Sequence, residues 1–121
     1  MERQELDLSG TWQSRYEYGK GRQSEHQVSL KHEGAEVIGT SLPDPSGSEL
    51  TLELQIDENI LSGIWYERTS TQGPYKGRTF DGLLQLILDD EAKKMVGKWV
   101  GYNSDKSVVN TGDWTLERGA D

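Results

Sequence analysis

The residues best suited to proton transfer or metal binding at neutral pH are two histidines, His26 and His32. They lie in a run where His26, Val28 and Leu30 alternate with Gln27, Ser29 and Lys31. On an extended strand they stand about 20 Å apart, too far to share one ion, and the chain has no Cys to complete a soft site. Asp89-Asp90-Glu91 lacks the ligand spacing of a calcium loop and reads as a solvated turn. Gly73-Pro74-Tyr75-Lys76-Gly77-Arg78 carries glycine and lysine without the phosphate-loop pattern, and reads as a flexible loop. A Ser–His–acid triad would have to use one of the two histidines, and no nucleophile elbow is present. Glu67 is the one acid expected to face inward, on the side of Trp65, and a single carboxylate does not make an acid–base pair. No catalytic residue, metal ligand or cofactor is therefore assigned, and a non-enzymatic protein is expected.

Period-two alternation runs along most of the chain, and it is this pattern that must position any site. Trp12, Ser14, Tyr16 and Tyr18 alternate with Thr11, Gln13, Arg15 and Glu17. Leu50, Leu52, Leu54 and Ile56 alternate with Glu49, Thr51, Glu53 and Gln55. Further runs cover Glu36 to Leu42, Ile60 to Arg68, Arg78 to Leu88, Met95 to Tyr102 and Val108 to Arg118. Turn formers such as Glu33-Gly34, Pro43-Asp44-Pro45-Ser46-Gly47 and Asp57-Glu58-Asn59 separate them. The only helical candidate, Asp89 to Lys94, is too short to matter. Eight strands with short connections predict an all-β, antiparallel, up-and-down barrel, because closure removes exposed sheet edges. A two-sheet sandwich of the same strands is the alternative.

The chain of 121 residues fits one domain, 1–121. Leu, Ile, Val and Phe make up only about a fifth of it, and four Trp and five Tyr offset that shortage. The absence of Cys favours a reducing, cytoplasmic setting. No stretch approaches the length of a membrane helix, so no membrane is expected as a partner within this chain; a fused or partner domain outside it is left open. A formal net charge of -8 argues against duplex nucleic acid as a partner, since that binding needs Lys and Arg on phosphates.

All four tryptophans have glycine two residues earlier: Gly10-Thr11-Trp12, Gly63-Ile64-Trp65, Gly97-Lys98-Trp99 and Gly112-Asp113-Trp114. Residues two apart share a strand face, so each glycine opens a gap beside its indole or lets the strand bend. Leu8-Ser9-Gly10-Thr11-Trp12, opening the first strand of a small meander, resembles the Gly-x-Trp signature of calycins, the lipocalin and avidin group of barrels. The resemblance implies a ligand-binding barrel whose first Trp plugs the closed end, with a basic residue near the end of the last strand packed across it. Trp12 and Arg118 match those positions. The Cys residues and helix of typical lipocalins are absent here. The segment from Leu83 to Arg118 is also similar to the ligand-sensing barrel of bacterial antiviral effectors that answer cyclic oligonucleotides.

In such a meander the connections alternate between the two ends. One end holds Glu33, Asp57, Glu58, Asp89, Asp90 and Glu91, with Lys93 and Lys94. The other holds the longest loops and Lys20, Arg22, Arg68, Lys76, Arg78 and Lys106, against Asp44 and Asp105. The predicted inner surface near that second end comprises Tyr16, Tyr18, His26, Trp65, Glu67, Trp99, Asn110 and Trp114, with Arg78 at the mouth. The function expected is small-molecule binding, by an intracellular sensor or carrier. Its ligand is planar, and one that is also anionic or nucleotide-like would meet Arg78 or Arg68. The alternative is a protein-interaction module with a solidly packed barrel that uses its basic rim loops.

Overall fold

The structure, a computed structural model, describes residues 6–18, 21–45, 47–72 and 76–119. Lys20, Ser46 and Gly73-Pro74-Tyr75 lie outside the described residues. Eight strands follow in order: β1 (Gly10–Glu17), β2 (Gln23–Glu33), β3 (Glu36–Ser41), β4 (Glu49–Asp57), β5 (Ile60–Arg68), β6 (Thr79–Leu88), β7 (Lys94–Tyr102) and β8 (Val109–Arg118). Each pairs antiparallel with its neighbour, and β1 pairs with β8, so the sheet closes into a barrel. The chain is thus all-β and up-and-down, compatible with a calycin-like fold. The Asp89 to Lys94 segment is a turn, not a helix; the Asp89 carboxylate accepts the amides of Lys93 and Lys94 at 2.8 and 3.1 Å.

Alternation decides which residues fill the barrel. Trp12, Ser14 and Tyr16 point in from β1, and His26, Val28 and Leu30 from β2. Leu50, Leu52 and Leu54 do so from β4, and Leu84, Leu86 and Leu88 from β6. Each buried aliphatic side chain contributes about 1.5–3 kcal/mol relative to staying exposed. They concentrate toward the end where β1 begins and β8 finishes, leaving the opposite end to aromatic and polar groups.

The closed end is built as the sequence implied. Trp12 is fully buried, and the Arg118 guanidinium lies over its ring with its carbon 5.0 Å from the centroid. The two residues face each other in the β1–β8 register. Arg118 Nη2 also donates to the Asp7 carbonyl at 2.8 Å, and Trp12 Nε1 donates to the Leu8 carbonyl at 2.9 Å. The strap Asp7-Leu8-Ser9 thereby crosses the floor. His32 holds that strap: its Nδ1 accepts the Leu8 amide at 3.1 Å, its own amide donates to Ser9 Oγ at 3.0 Å, and its Nε2 reaches the Gly34 carbonyl at 3.0 Å. With both ring nitrogens engaged in this way, the histidine's role here is structural.

Candidate ligand-binding cup

Three of the Gly-x-Trp repeats build the middle of the barrel, and their glycines, Gly63, Gly97 and Gly112, serve close approach, whereas a Cβ at Gly10 would meet nothing within 4 Å. A Cβ at Gly97 would lie 1.8 Å from the Gln85 carbonyl oxygen, so only glycine lets β7 bend against β6 there. A Cβ at Gly112 would meet Trp99 Nε1 at 2.6 Å, and one at Gly101 would meet Trp65 Cζ2 at the same distance. Space left by missing side chains on β7 and β8 is thus filled by indoles from β5 and β7. Trp65 and Trp99 meet edge to face at 5.7 Å, Trp65 and Trp114 lie 6.1 Å apart, and Tyr16 stacks on Trp114 at 4.5 Å. Such offset and edge contacts suit the ring quadrupoles.

All four indole N–H groups are used inside the protein. Besides Trp12, Trp65 Nε1 donates to the Val100 carbonyl at 3.3 Å, Trp99 Nε1 to the Glu17 carbonyl at 2.8 Å and Trp114 Nε1 to Ser14 Oγ at 2.9 Å. The rings, not their donors, remain for anything that binds above them.

Above this layer lies an open cavity of about 980 Å³. Trp65, Trp99 and Trp114 form its base, with Tyr16, Tyr18 and Phe80 on the walls. Glu67, Ser24, Asn110 and Thr111 add polar groups. The rim comes from Arg22, Ser48, Thr69, Ser70 and the stretch from Tyr102 to Ser104. Of the predicted inner residues, Tyr16, Tyr18, Trp65, Glu67, Trp99, Asn110 and Trp114 all line this space.

Two do not. His26 faces inward and is buried, but Tyr16 stacks parallel to it at 6.5 Å and Ser48 Oγ meets its Nε2 at 2.9 Å. Those two residues line the cup and stand in front of it. Its Nδ1 is buried without a partner among the described residues, and desolvation holds the imidazole below its ordinary pKa. Arg78 precedes the first residue of β6 and is exposed. Its Nη2 donates to the Ser104 carbonyl at 3.0 Å, tying two rim loops together rather than facing the cup. Beyond the strand ladder the inward–outward alternation no longer directs a long side chain. Arg68 is likewise engaged, with Glu49 at 3.0 Å, and Lys106 lies over the Tyr102 ring at 5.5 Å. Among the described residues Arg22 is the cation that lines the cup.

Sequence reasoning placed Arg22 among the basic loops of this end without setting it at the mouth, and it missed Ser48 and Ser104, because in loops no periodicity assigns a side. Ser24 and Phe80 were legible by parity, sharing a face with His26 and Gly82 respectively. No protein-family model matches the chain, and no curated protein matches it either.

Inside the cup, the Tyr16 hydroxyl donates to Glu67 Oε1. Burial raises the Glu67 carboxyl above its ordinary value, and the Tyr16 hydrogen bond only partly opposes this. Burial raises the Tyr16 phenol too, with the adjacent Glu67 charge adding to it. The pair is therefore a neutral phenol donating to a carboxyl that resists ionisation. No group of His, Asp and Glu among the described residues is arranged to hold a metal.

Proposed function

We propose that this chain is a non-enzymatic small-molecule-binding barrel, an intracellular sensor or carrier of the calycin type, whose ligand is planar. The observation that carries this reading is the cavity of about 980 Å³ over an indole floor, within the size range of small-molecule sites. A purely structural barrel of this aliphatic content would gain by closing that space. Three aromatic walls over an indole base suit a flat, unsaturated ligand. Any acid group on it would meet Arg22 at the rim, since Arg78 and Arg68 are engaged elsewhere. The likeness to the barrel that senses cyclic oligonucleotides belongs to the same proposal, as the nucleotide-like end of the ligand range.

Native mass spectrometry of protein purified from its source tests the reading. A retained small molecule, together with a shift in Trp emission when it is removed, is the expected result. An empty barrel whose emission ignores every flat compound offered would overturn it.

A specific observation favours the interaction-module alternative, though by the outer wall rather than the basic loops. Ile64, Leu83 and Val100 stand in one cross-strand row, and Ile60, Ile87 and Val96 in another. All six are exposed on the outside of β5, β6 and β7. Exposed apolar surface of this kind marks interaction sites. Retention of a partner protein that Leu83→Glu abolishes, with the cup empty, would favour that alternative.

A further inference from the structure

We propose that the cup selects a planar cation of the amidine or amino-heterocycle type, its N–H edge seated on Glu67. This rests on the reading of the cup as a small-molecule site and names the chemistry that site would choose.

Donors and acceptors are unequally spent inside the cup. The indole N–H groups of Trp65, Trp99 and Trp114 are all spent on protein acceptors. The Tyr16 hydroxyl is spent on Glu67, and the Thr111 hydroxyl donates to the Trp99 carbonyl at 2.6 Å. Asn110, Ser24 and Tyr18 leave the inner cup neutral donors only, and among the described residues its one cation, Arg22, is at the rim. The cup does have acceptor capacity. A carboxylate offers about four lone-pair sites, and Tyr16 takes one of them. Glu67 Oε2 has no hydrogen-bond partner among the described residues.

Glu67 is also set where it can be used. It sits two residues beyond Trp65 on the inner face of β5, with Phe80 opposite it on β6. The Tyr16 hydrogen bond holds one oxygen in place, and the carboxyl group lines a space walled by rings. A half-buried carboxylate with no counter-charge paired to it among the described residues is costly, and a bound cation removes that cost. Aromatic faces add cation–π attraction. The net charge of -8 draws cations toward the barrel. The opposing charge at the cup, Arg22, is out on the exposed rim.

Three probes of one shape separate the possibilities: benzamidine, benzamide and benzoate, each titrated into the ¹⁵N-labelled chain. The four indole N–H signals, assigned by single Trp→Phe variants, report where binding occurs. Benzamidine is expected to shift the Trp65 and Trp99 signals, leave Trp12 unmoved, and bind at least about tenfold tighter than benzamide, as a charged hydrogen bond implies. Glu67→Gln should bring benzamidine down to the benzamide level and leave benzamide itself little changed. If benzoate or benzamide matches benzamidine at the same signals, or if Glu67→Gln changes nothing, the cation preference is wrong while the cup remains a binding site. If no probe moves Trp65 or Trp99, the small-molecule reading falls with it. Should Glu67→Gln lose its dispersed spectrum, the ranking of the three probes on the unaltered chain decides.

Discussion

Buried His26 and half-buried Glu67 face opposite ways in pH. Burial depresses the His26 imidazole, so between its lowered value and the ordinary 6.5 the unfolded chain binds the extra proton. Stability contributed by neutral His26 is complete above about pH 6.5 and is lost as pH falls through that window. Burial raises Glu67, so between the ordinary 4.5 and its raised value the folded chain binds the extra proton. Its contribution is complete below that ordinary value and is lost as pH rises. Urea unfolding midpoints of single variants should separate the two: His26→Gln flattens the acid-side decline, while Glu67→Gln flattens the decline on the alkaline side. At the floor, Trp12 buries its whole indole under Arg118. Trp12→Ala should cost about 3–5 kcal/mol by chemical denaturation, the range for large core aromatics. A loss under about 1 kcal/mol would show that the indole does not plug the closed end.

At the scale of the strand, the glycines decide how closely neighbours can run. Gly97→Ala places a methyl group where the Gln85 carbonyl stands, and backbone cannot swing aside as a side chain can. Overpacking of this kind costs about 1–3 kcal/mol, with β6 and β7 forced apart. Gly34 is different. Its added Cβ meets nothing, and only its φ of +61° resists substitution, so Gly34→Ala should cost about 1–2 kcal/mol and leave the β6–β7 register untouched. Amide exchange in β6 and β7 distinguishes the cases: faster in Gly97→Ala, unchanged in Gly34→Ala. The strand positions themselves were legible from alternation, because a half-buried strand displays its inner face directly in the sequence. Boundaries differed by a residue or so; β3 stops at Ser41 and β6 starts at Thr79. Such ends depend on where a neighbour stops pairing, which alternation does not report.

For the whole barrel, seven of the eight pairings join strands adjacent in the chain, and the eighth closes β1 on β8. That seam must gather residues as far apart as Ser14 and Trp114, whose side chains hydrogen-bond at 2.9 Å. Closing so long a loop costs entropy before its contacts repay it. The seam should therefore form late in folding. Ser14→Ala is expected mainly to speed unfolding. Leu52→Ala, inside the long β4–β5 hairpin, should also slow folding. Stopped-flow folding and unfolding limbs measure both; equal slowing of folding by the two variants would place closure in the transition state.

The sequence by itself determined the strands, their inward faces, the closed end with Trp12 and Arg118, and most of the cup from Tyr16 to Trp114. Period-two alternation and glycine spacing are local properties, and a meander leaves little freedom in how such strands pair. Tertiary structure alone decided the rest. It put Tyr16 and Ser48 in front of His26, drew Arg78 across to Ser104, and brought Arg22 to the cup. It also joined Tyr16 to Glu67 across the barrel, 51 residues apart in the chain. Those outcomes depend on barrel closure and on loop side chains seeking partners from other strands, and no pattern along one strand encodes which partner lies opposite once the sheet curls shut.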